Sequence, residues 1–222
     1  MEIGGPSDLF AAGGPLPLYP LMARLDNCNF SATTVWEGQI REGLTFIYDS
    51  HRAPGRQYIA EAADLSLIAA KTYDVVLSSH TIEHSANPLR ALREWLRVLK
   101  DDGALVLVVP HKDGTFDHRR PLTTLAHLIE DDTQGTSEDD LTHLDEILAC
   151  HDLALDPAAG DAAAFAARSA RNAENRCLHH HVFDTALVAE MLQAVGLEIA
   201  AIERVPPYHI IAVAQKVQPF GR

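Results

Sequence analysis

Histidines and carboxylates gather in three stretches of this chain. His80, Glu83 and His84 lie in one short segment. His111 leads into "KDGTFDHRRP", which brings Asp117, His118, Arg119 and Arg120. Further on stand His127, His143 and His151, then the consecutive His179, His180 and His181. An imidazole titrates near neutral pH, so it can take a proton from a weak nucleophile or bind a metal. A placed general base is worth about 10²–10⁴ in rate. In "EDDLTHLDEIL", Asp139, Asp140 and Glu146 surround His143, and a carboxylate neighbour orients an imidazole and strengthens it as a base. His143 is therefore the first candidate base, with His80 and His118 as alternatives. Taken singly, each histidine is more often a hydrogen-bonded loop or core residue, and Glu83-His84 reads equally well as a helix-start pair. Mixed Asp and His ligands suit Zn²⁺ better than Mg²⁺ or Mn²⁺, but no spacing here matches a zinc pattern. In the triple histidine, an extended backbone would turn the middle ring away from its neighbours. Metal ligands stay unassigned. If a metal acts, Mg²⁺ held by carboxylates beside a substrate hydroxyl is the preferred form.

A second feature is the opening, "MEIGGPSDLF". Glu2-Ile3-Gly4-Gly5 reads as a strand end running into a turn, where glycines allow close backbone approach to a ligand. Alone, a Gly-Gly pair is most often an ordinary turn. Asp26 follows at the spacing of about 20 residues at which a ribose-binding carboxylate usually ends a second strand. "QYIAEAADLS" reads as a third strand ending in Asp64, placed to read a purine amino group. Asp49, after "LTFIY", rivals Asp26 for the ribose.

These residues need elements to position them. "TYDVVLSS" (Thr72–Ser79) and "GALVLVVP" (Gly103–Pro110) are continuous apolar runs, the pattern of strands buried on both faces. Between them, Asn87 and Pro88 make a helix start, Leu89, Leu92, Leu96 and Leu99 recur at helical spacing, and Gly103 ends the run. Strand, helix and buried strand make a right-handed βαβ unit. Residues 111–182 carry short helical patterns around Leu122/Leu125/Leu128 and Leu141/Leu144/Ile147, expected as a helical insertion over one sheet edge. A helix capped by Asp184 and closed by Gly196 follows, then two strands, "LEIAAIE" and "HIIAVA", whose short connection permits only an antiparallel pair.

Composition narrows the function classes. A net charge of −13 argues against nucleic acid and anionic membrane as partners. Three scattered cysteines suggest reduced thiols and a cytoplasmic setting, and no basic-then-apolar leader is visible. No apolar run reaches the ~18 residues of a membrane helix.

The stretch "YDVVLSSHTIEHSANPLRALREWLRVLKDDGALVLVVP" resembles the central block of class I S-adenosylmethionine-dependent methyltransferases. That block joins a Tyr-Asp-x-Val strand and a Glu-His turn to a helix ending Arg-Val-Leu-Lys and a Gly-x-Leu strand. The resemblance implies one α/β domain over residues 1–222, with a Rossmann-like, seven-stranded, mostly parallel sheet, its last strand antiparallel. It implies S-adenosylmethionine as cofactor. Glu2, Gly4 and Gly5 then match the loop under its methionine part, Asp26 the ribose acid, Asp64 with Leu65 the adenine site, and Ser79 with His80 the loop lining the methyl-donor pocket. Pro6 and Asp8 depart from the family's loop glycines, and the usual leading helix is missing because the chain starts inside strand one. Overall, the chain is similar to bacterial sugar O-methyltransferases of the kind that methylate the reducing-end 1-hydroxyl of mycobacterial methylmannose oligosaccharides. That implies a carbohydrate acceptor, which the polar insertion also suits. Arg119-Arg120 reads most often as a solvated pair or a clamp on nearby acids, and functionally as hydrogen bonding to such an acceptor or to the cofactor's carboxylate; Tyr19, Trp36, Tyr48 and Tyr58 read equally as packing residues or as rings stacked on a sugar. A homodimer is expected through an exposed terminal strand. Two other readings stay open: a non-catalytic cofactor-binding subunit, favoured by Pro6 and Asp8, and a metal-dependent enzyme of different chemistry on the same fold.

Overall fold

The computed structural model describes residues 1–216. Its strands are β1 (Glu2–Ile3), β2 (Asn27–Asn29), β3 (Thr33–Thr34), β4 (Gly38–Gln39), β5 (Gly43–Phe46), β6 (Gly55–Ile59), β7 (Tyr73–Ser79), β8 (Leu99–Pro110), β9 (Leu197–Val205) and β10 (His209–Lys216). Its helices are α1 (Pro88–Val98), α2 (Leu125–Gln134), α3 (Leu144–Cys150), α4 (Ala162–Ser169), α5 (Asn172–Asn175) and α6 (Thr185–Ala194). The main sheet runs β5-β6-β2-β1-β7-β8-β10-β9, and β3 pairs with β4 in a separate ribbon. Strands β6, β2, β1, β7 and β8 are mutually parallel, while β10 is antiparallel to both β8 and β9. This is the expected Rossmann-like sheet with an antiparallel last strand. It has eight strands rather than seven, because β5 adds an antiparallel edge beside β6.

The βαβ unit forms as its sequence requires. Asn87 Oδ1 accepts from Arg90 N at 3.0 Å, and Pro88 occupies the first turn, where a missing N–H costs nothing. Leu89, Leu92, Trp95 and Val98 are fully buried against the sheet, each worth about 1.5–3 kcal/mol of apolar burial. The helix stops at Val98, earlier than the leucine repeat predicts, and Leu99 already pairs with Tyr73. Two backbone donors, Lys71 N and Thr72 N, take the carbonyls of Arg97 and Val98 and end the helix there. Gly103 lies inside β8, where a Cβ would meet Asp74 O at 2.8 Å and Leu99 Cδ1 at 2.7 Å.

One face of the sheet packs on α1 and α6, the second held by Asp184 Oδ1 accepting from Leu187 N at 2.8 Å. The other face is covered by Phe10, Tyr19, Phe46 and Tyr48. Tyr19 and Tyr48 are buried there, which corrects the expectation that they stack on a substrate. Helices α2–α5 lie between β8 and α6 in the chain.

Candidate active site

Parallel strands leave a crevice at their C-terminal ends, where the chain turns off the sheet. Here a cavity of about 840 Å³ opens among the residues that follow β1, β2, β6, β7 and β8. Gly4 lines it, with φ at +77°, a left-handed conformation that favours glycine. A Cβ on Gly4 would meet Thr81 Oγ1 at 2.4 Å, and one on Gly5 would meet the Glu2 carboxylate at 2.2 Å. Gly4 thus keeps its expected place in the lining, while Gly5 and Glu2 lie outside it, which corrects the expectation for those two. Glu2 is buried beneath the loop and braces it: Tyr19 Oη donates to Oε2 at 2.8 Å and Ser7 N to Oε1 at 3.1 Å. Burial drives the Glu2 carboxyl up to about 8 despite these bonds. Asn27 clamps Gly5 from the next strand, accepting from Gly5 N at 3.0 Å and donating to Gly5 O at 2.8 Å.

Beyond β2, Asn29 and Glu37 line the cavity. Asn29 Nδ2 donates to Glu37 Oε2 at 3.3 Å, and Thr34 Oγ1 donates to the same carboxylate oxygen. Burial raises the Glu37 carboxyl above its ordinary value. Beyond β6, Glu61 and Ala62 line the cavity, with Arg176 Nη2 donating to Glu61 Oε1 at 2.6 Å.

The turn after β7 carries Ser79, His80, Glu83 and His84 into the lining. His80 adopts φ +50°, unusual for a side-chain-bearing residue and typical of functional turns. Its Nε2 lies 2.9 Å from His209 Nδ1, and its Nδ1 lies 3.4 Å from Glu83 Oε1. Burial pushes His84 down to about 4, reinforced by the neighbouring His179, so this ring is neutral near pH 7. Opposite, His179 lines the cavity with its Nδ1 at 2.5 Å from Asp117 Oδ2. Burial works against a charged His179, but Asp117 and then Glu83 outweigh it and raise the imidazole above its ordinary value. Asp117 is held in turn by buried Arg120, whose Nη1 donates to Oδ1 at 3.1 Å. Burial alone would lift the Asp117 carboxyl, but His179 and Arg120 hold it below the ordinary range.

Residues 21–107 match the family profile described as a methyltransferase domain. The match spans β2 through most of β8, under half of the chain, and includes the turn after β7. No curated protein is similar enough in sequence to count as a match. Among solved structures, the chain resembles one in the complex between the Haloferax volcanii Trm112 methyltransferase activator and a methyltransferase: TM-score 0.52, 12% identity, 100% of this chain and 82% of that one. A SAM-dependent methyltransferase from Aquifex aeolicus aligns with TM-score 0.49 and 13% identity over 97% of this chain and 80% of that one. The first likeness is one of fold, the Rossmann-like mostly parallel sheet.

Several expected site residues lie away from the cavity. Asp26 immediately precedes β2, at the end of the strand opposite the cavity. Its carboxylate accepts from Arg56 N at 2.7 Å and Tyr73 Oη at 3.0 Å, tying strands together. Asp49 is also outside the lining. β6 ends at Ile59, so Asp64 falls beyond the cavity in a shallow surface depression with Arg90 and Arg97, and its carboxylate accepts from Ser66 N at 3.1 Å. Leu65 is fully buried core, its N–H donating to Glu94. His118 sits on Asp152 at 2.9 Å, and His143 packs against His127 and His181; neither lines the cavity. Arg120 is a buried clamp and Arg119 pairs with Asp152, so neither is a free substrate donor. Gly4, Ser79, His80 and Trp36 do line it. Asn29, Glu37, Glu61 and Arg176 were not singled out as site residues from sequence; Asp117 and His179 stood among the candidates, but not as a pair. Asp117 and His179 stand 62 residues apart, a separation that carries no periodic signal.

Among the described residues, no helix is long and apolar enough to cross a membrane.

Proposed function

We propose that this protein is an S-adenosylmethionine-dependent O-methyltransferase acting on a hydroxyl of a small polar acceptor, with carbohydrate as the acceptor class. The observation that carries the reading is the Asp117–His179 pair opening onto the cavity beside the β1 loop. The lining also fits the donor. Ser79 Oγ and Glu83 Oε2 are buried without a hydrogen-bond partner, while Glu83 Oε1 meets only His80 Nδ1 at 3.4 Å, and such atoms are normally satisfied by something. Asn29 and Glu37 would hold the ribose hydroxyls, Glu61 and Ala62 would flank the base, and Gly4 would pass under the amino-acid part.

S-adenosylmethionine supplies an electrophilic methyl, so transfer to oxygen forms one C–O bond, breaks one C–S bond and releases the hydroxyl proton. His179 Nε2 receives that proton, because Nδ1–H is committed to Asp117. Asp117 fixes the tautomer and stabilises the imidazolium, and Arg120 keeps Asp117 ionised and in place. Trp36, Phe116 and Tyr208 line the cavity with aromatic rings, beside the polar Arg176 and Glu138. Ring faces with interleaved polar groups suit a sugar, which has apolar faces and a polar rim. Magnesium fits less well. The nearest possible ligand group, Glu83, His84 and His179, brings one carboxylate and two imidazoles, while Mg²⁺ takes oxygens.

The test pairs calorimetric titration of S-adenosylhomocysteine with transfer of labelled methyl to a panel of sugars. Wild type and His179→Gln should bind S-adenosylhomocysteine alike, and only wild type should transfer methyl. Failure of the wild type to bind the product overturns the reading of the cavity; full activity in His179→Gln removes the base.

A further inference from the structure

Away from the cavity, four ligand-type side chains from three separate segments converge. His127 and Asp131 lie one turn apart on α2, His143 is the residue before α3, and His181 lies in the segment leading to Phe183. His127 Nε2 is 2.9 Å from His143 Nε2 and 3.3 Å from Asp131 Oδ2. His181 Nε2 is 3.8 Å from that same oxygen. The three rings meet edge to face, with centroids 4.9, 5.8 and 6.1 Å apart. Asp131 Oδ2 is buried beside the His127 and His181 imidazoles with no hydrogen-bond partner. Asp131 Oδ1 is oriented by Thr136 Oγ1, which donates to it at 3.1 Å.

We propose that His127, Asp131, His143 and His181 form a zinc site. Zinc binds imidazole nitrogen and carboxylate oxygen at about 2.0–2.2 Å, so the ligand atoms of a tetrahedral site lie roughly 3.3–3.5 Å apart. The three separations above straddle that value; the ligand atoms of His127, Asp131 and His181 all lie within 4.8 Å of one another, and His143, in contact with His127, completes the set by turning toward the ion. Three nitrogens and one oxygen are the donor set zinc prefers over Mg²⁺ or Ca²⁺. Zinc capture would replace the contact of His181 Nε2 with Ala86 O, now 3.2 Å. Four protein ligands make a closed site, the structural kind, which leaves no position for a substrate. It would pin α2 and the start of α3 to the 179–183 segment, which is also the segment that presents His179 to the cavity. The proposal stands whether or not the cavity binds S-adenosylmethionine.

The test is titration of the full-length, EDTA-treated protein with Co²⁺, followed by visible absorption, then displacement with Zn²⁺. One equivalent should bind with the intense d–d bands of tetrahedral cobalt, and Zn²⁺ should abolish them. His127→Ala and His143→Ala, both partly exposed and so tolerant of truncation, should weaken binding by more than the about 10–100-fold that outer-shell changes cost. Circular dichroism confirms that both variants fold. His84→Gln, which alters the other histidine group, should leave the titration unchanged. Absence of stoichiometric Co²⁺ or Zn²⁺ binding by wild type overturns the proposal. So does loss of the bands in His84→Gln with retention in His127→Ala.

Discussion

His179 Nδ1 lies 2.5 Å from Asp117 Oδ2, and the other oxygen of that carboxylate accepts from Arg120 Nη1 at 3.1 Å. All three groups are buried, or nearly so, and Arg120 also donates to the carbonyls of His179 and His180. The guanidinium therefore fixes both the acid and the backbone that carries the imidazole.

Asp117→Asn should lower turnover by about 10²–10⁴ with little change in S-adenosylhomocysteine affinity, because the amide no longer fixes the tautomer that leaves Nε2 free. Single-turnover methyl transfer beside calorimetry separates the two effects. A parallel loss of product affinity would instead point to a collapsed cavity wall.

Glu37→Gln should weaken S-adenosylhomocysteine binding by about 1–3 kcal/mol, the usual cost of unmatching a charged hydrogen bond. Asp26→Asn should leave affinity unchanged while lowering stability, since its partners are Arg24, Arg56 and Tyr73 at the far end of the sheet. Calorimetry on the two variants decides which carboxylate faces the sugar. The reverse pattern would restore Asp26.

Gly4→Ala should destabilise the fold by more than about 1 kcal/mol, because it adds a Cβ at a left-handed φ and 2.4 Å from Thr81 Oγ1. Urea unfolding measures it. A neutral outcome would mean that the loop and Thr81 shift apart easily.

The Glu2 carboxyl, raised from its ordinary 4.5 to about 8, predicts a pH effect. The folded chain holds this proton more tightly than the unfolded chain. The contribution to stability is full below about pH 4.5 and is lost as pH rises toward 8. Wild type should therefore lose stability across that window, by an amount of order a few kcal/mol. In Glu2→Gln the loss should shrink. Urea midpoints at pH 5 and pH 8.5 for both proteins test it; parallel slopes would show that Glu2 is ionised in the folded chain.

Local signals in the chain determined a good deal. The Asn87–Pro88 cap, the apolar runs of β7 and β8, the Asp184 cap and the short turn before β10 each act within a few residues, through hydrogen bonds and burial that neighbours in sequence supply. They are enough for the parallel sheet, its antiparallel last strand and the crevice that follows. Only the tertiary structure decided which end of β2 faces the crevice: a strand begun at Asn27 puts Asp26 on one edge and Asn29 on the other. It alone brought Asp117 to His179, and His127 and Asp131 to His143 and His181. Such pairings join segments tens of residues apart, and the packing of helices α2–α5 and the returning 179–183 segment sets their distances. Composition and periodicity describe neighbours along a chain, whereas proton transfer and ligation depend on ångström-scale approach between groups that only folding makes neighbours.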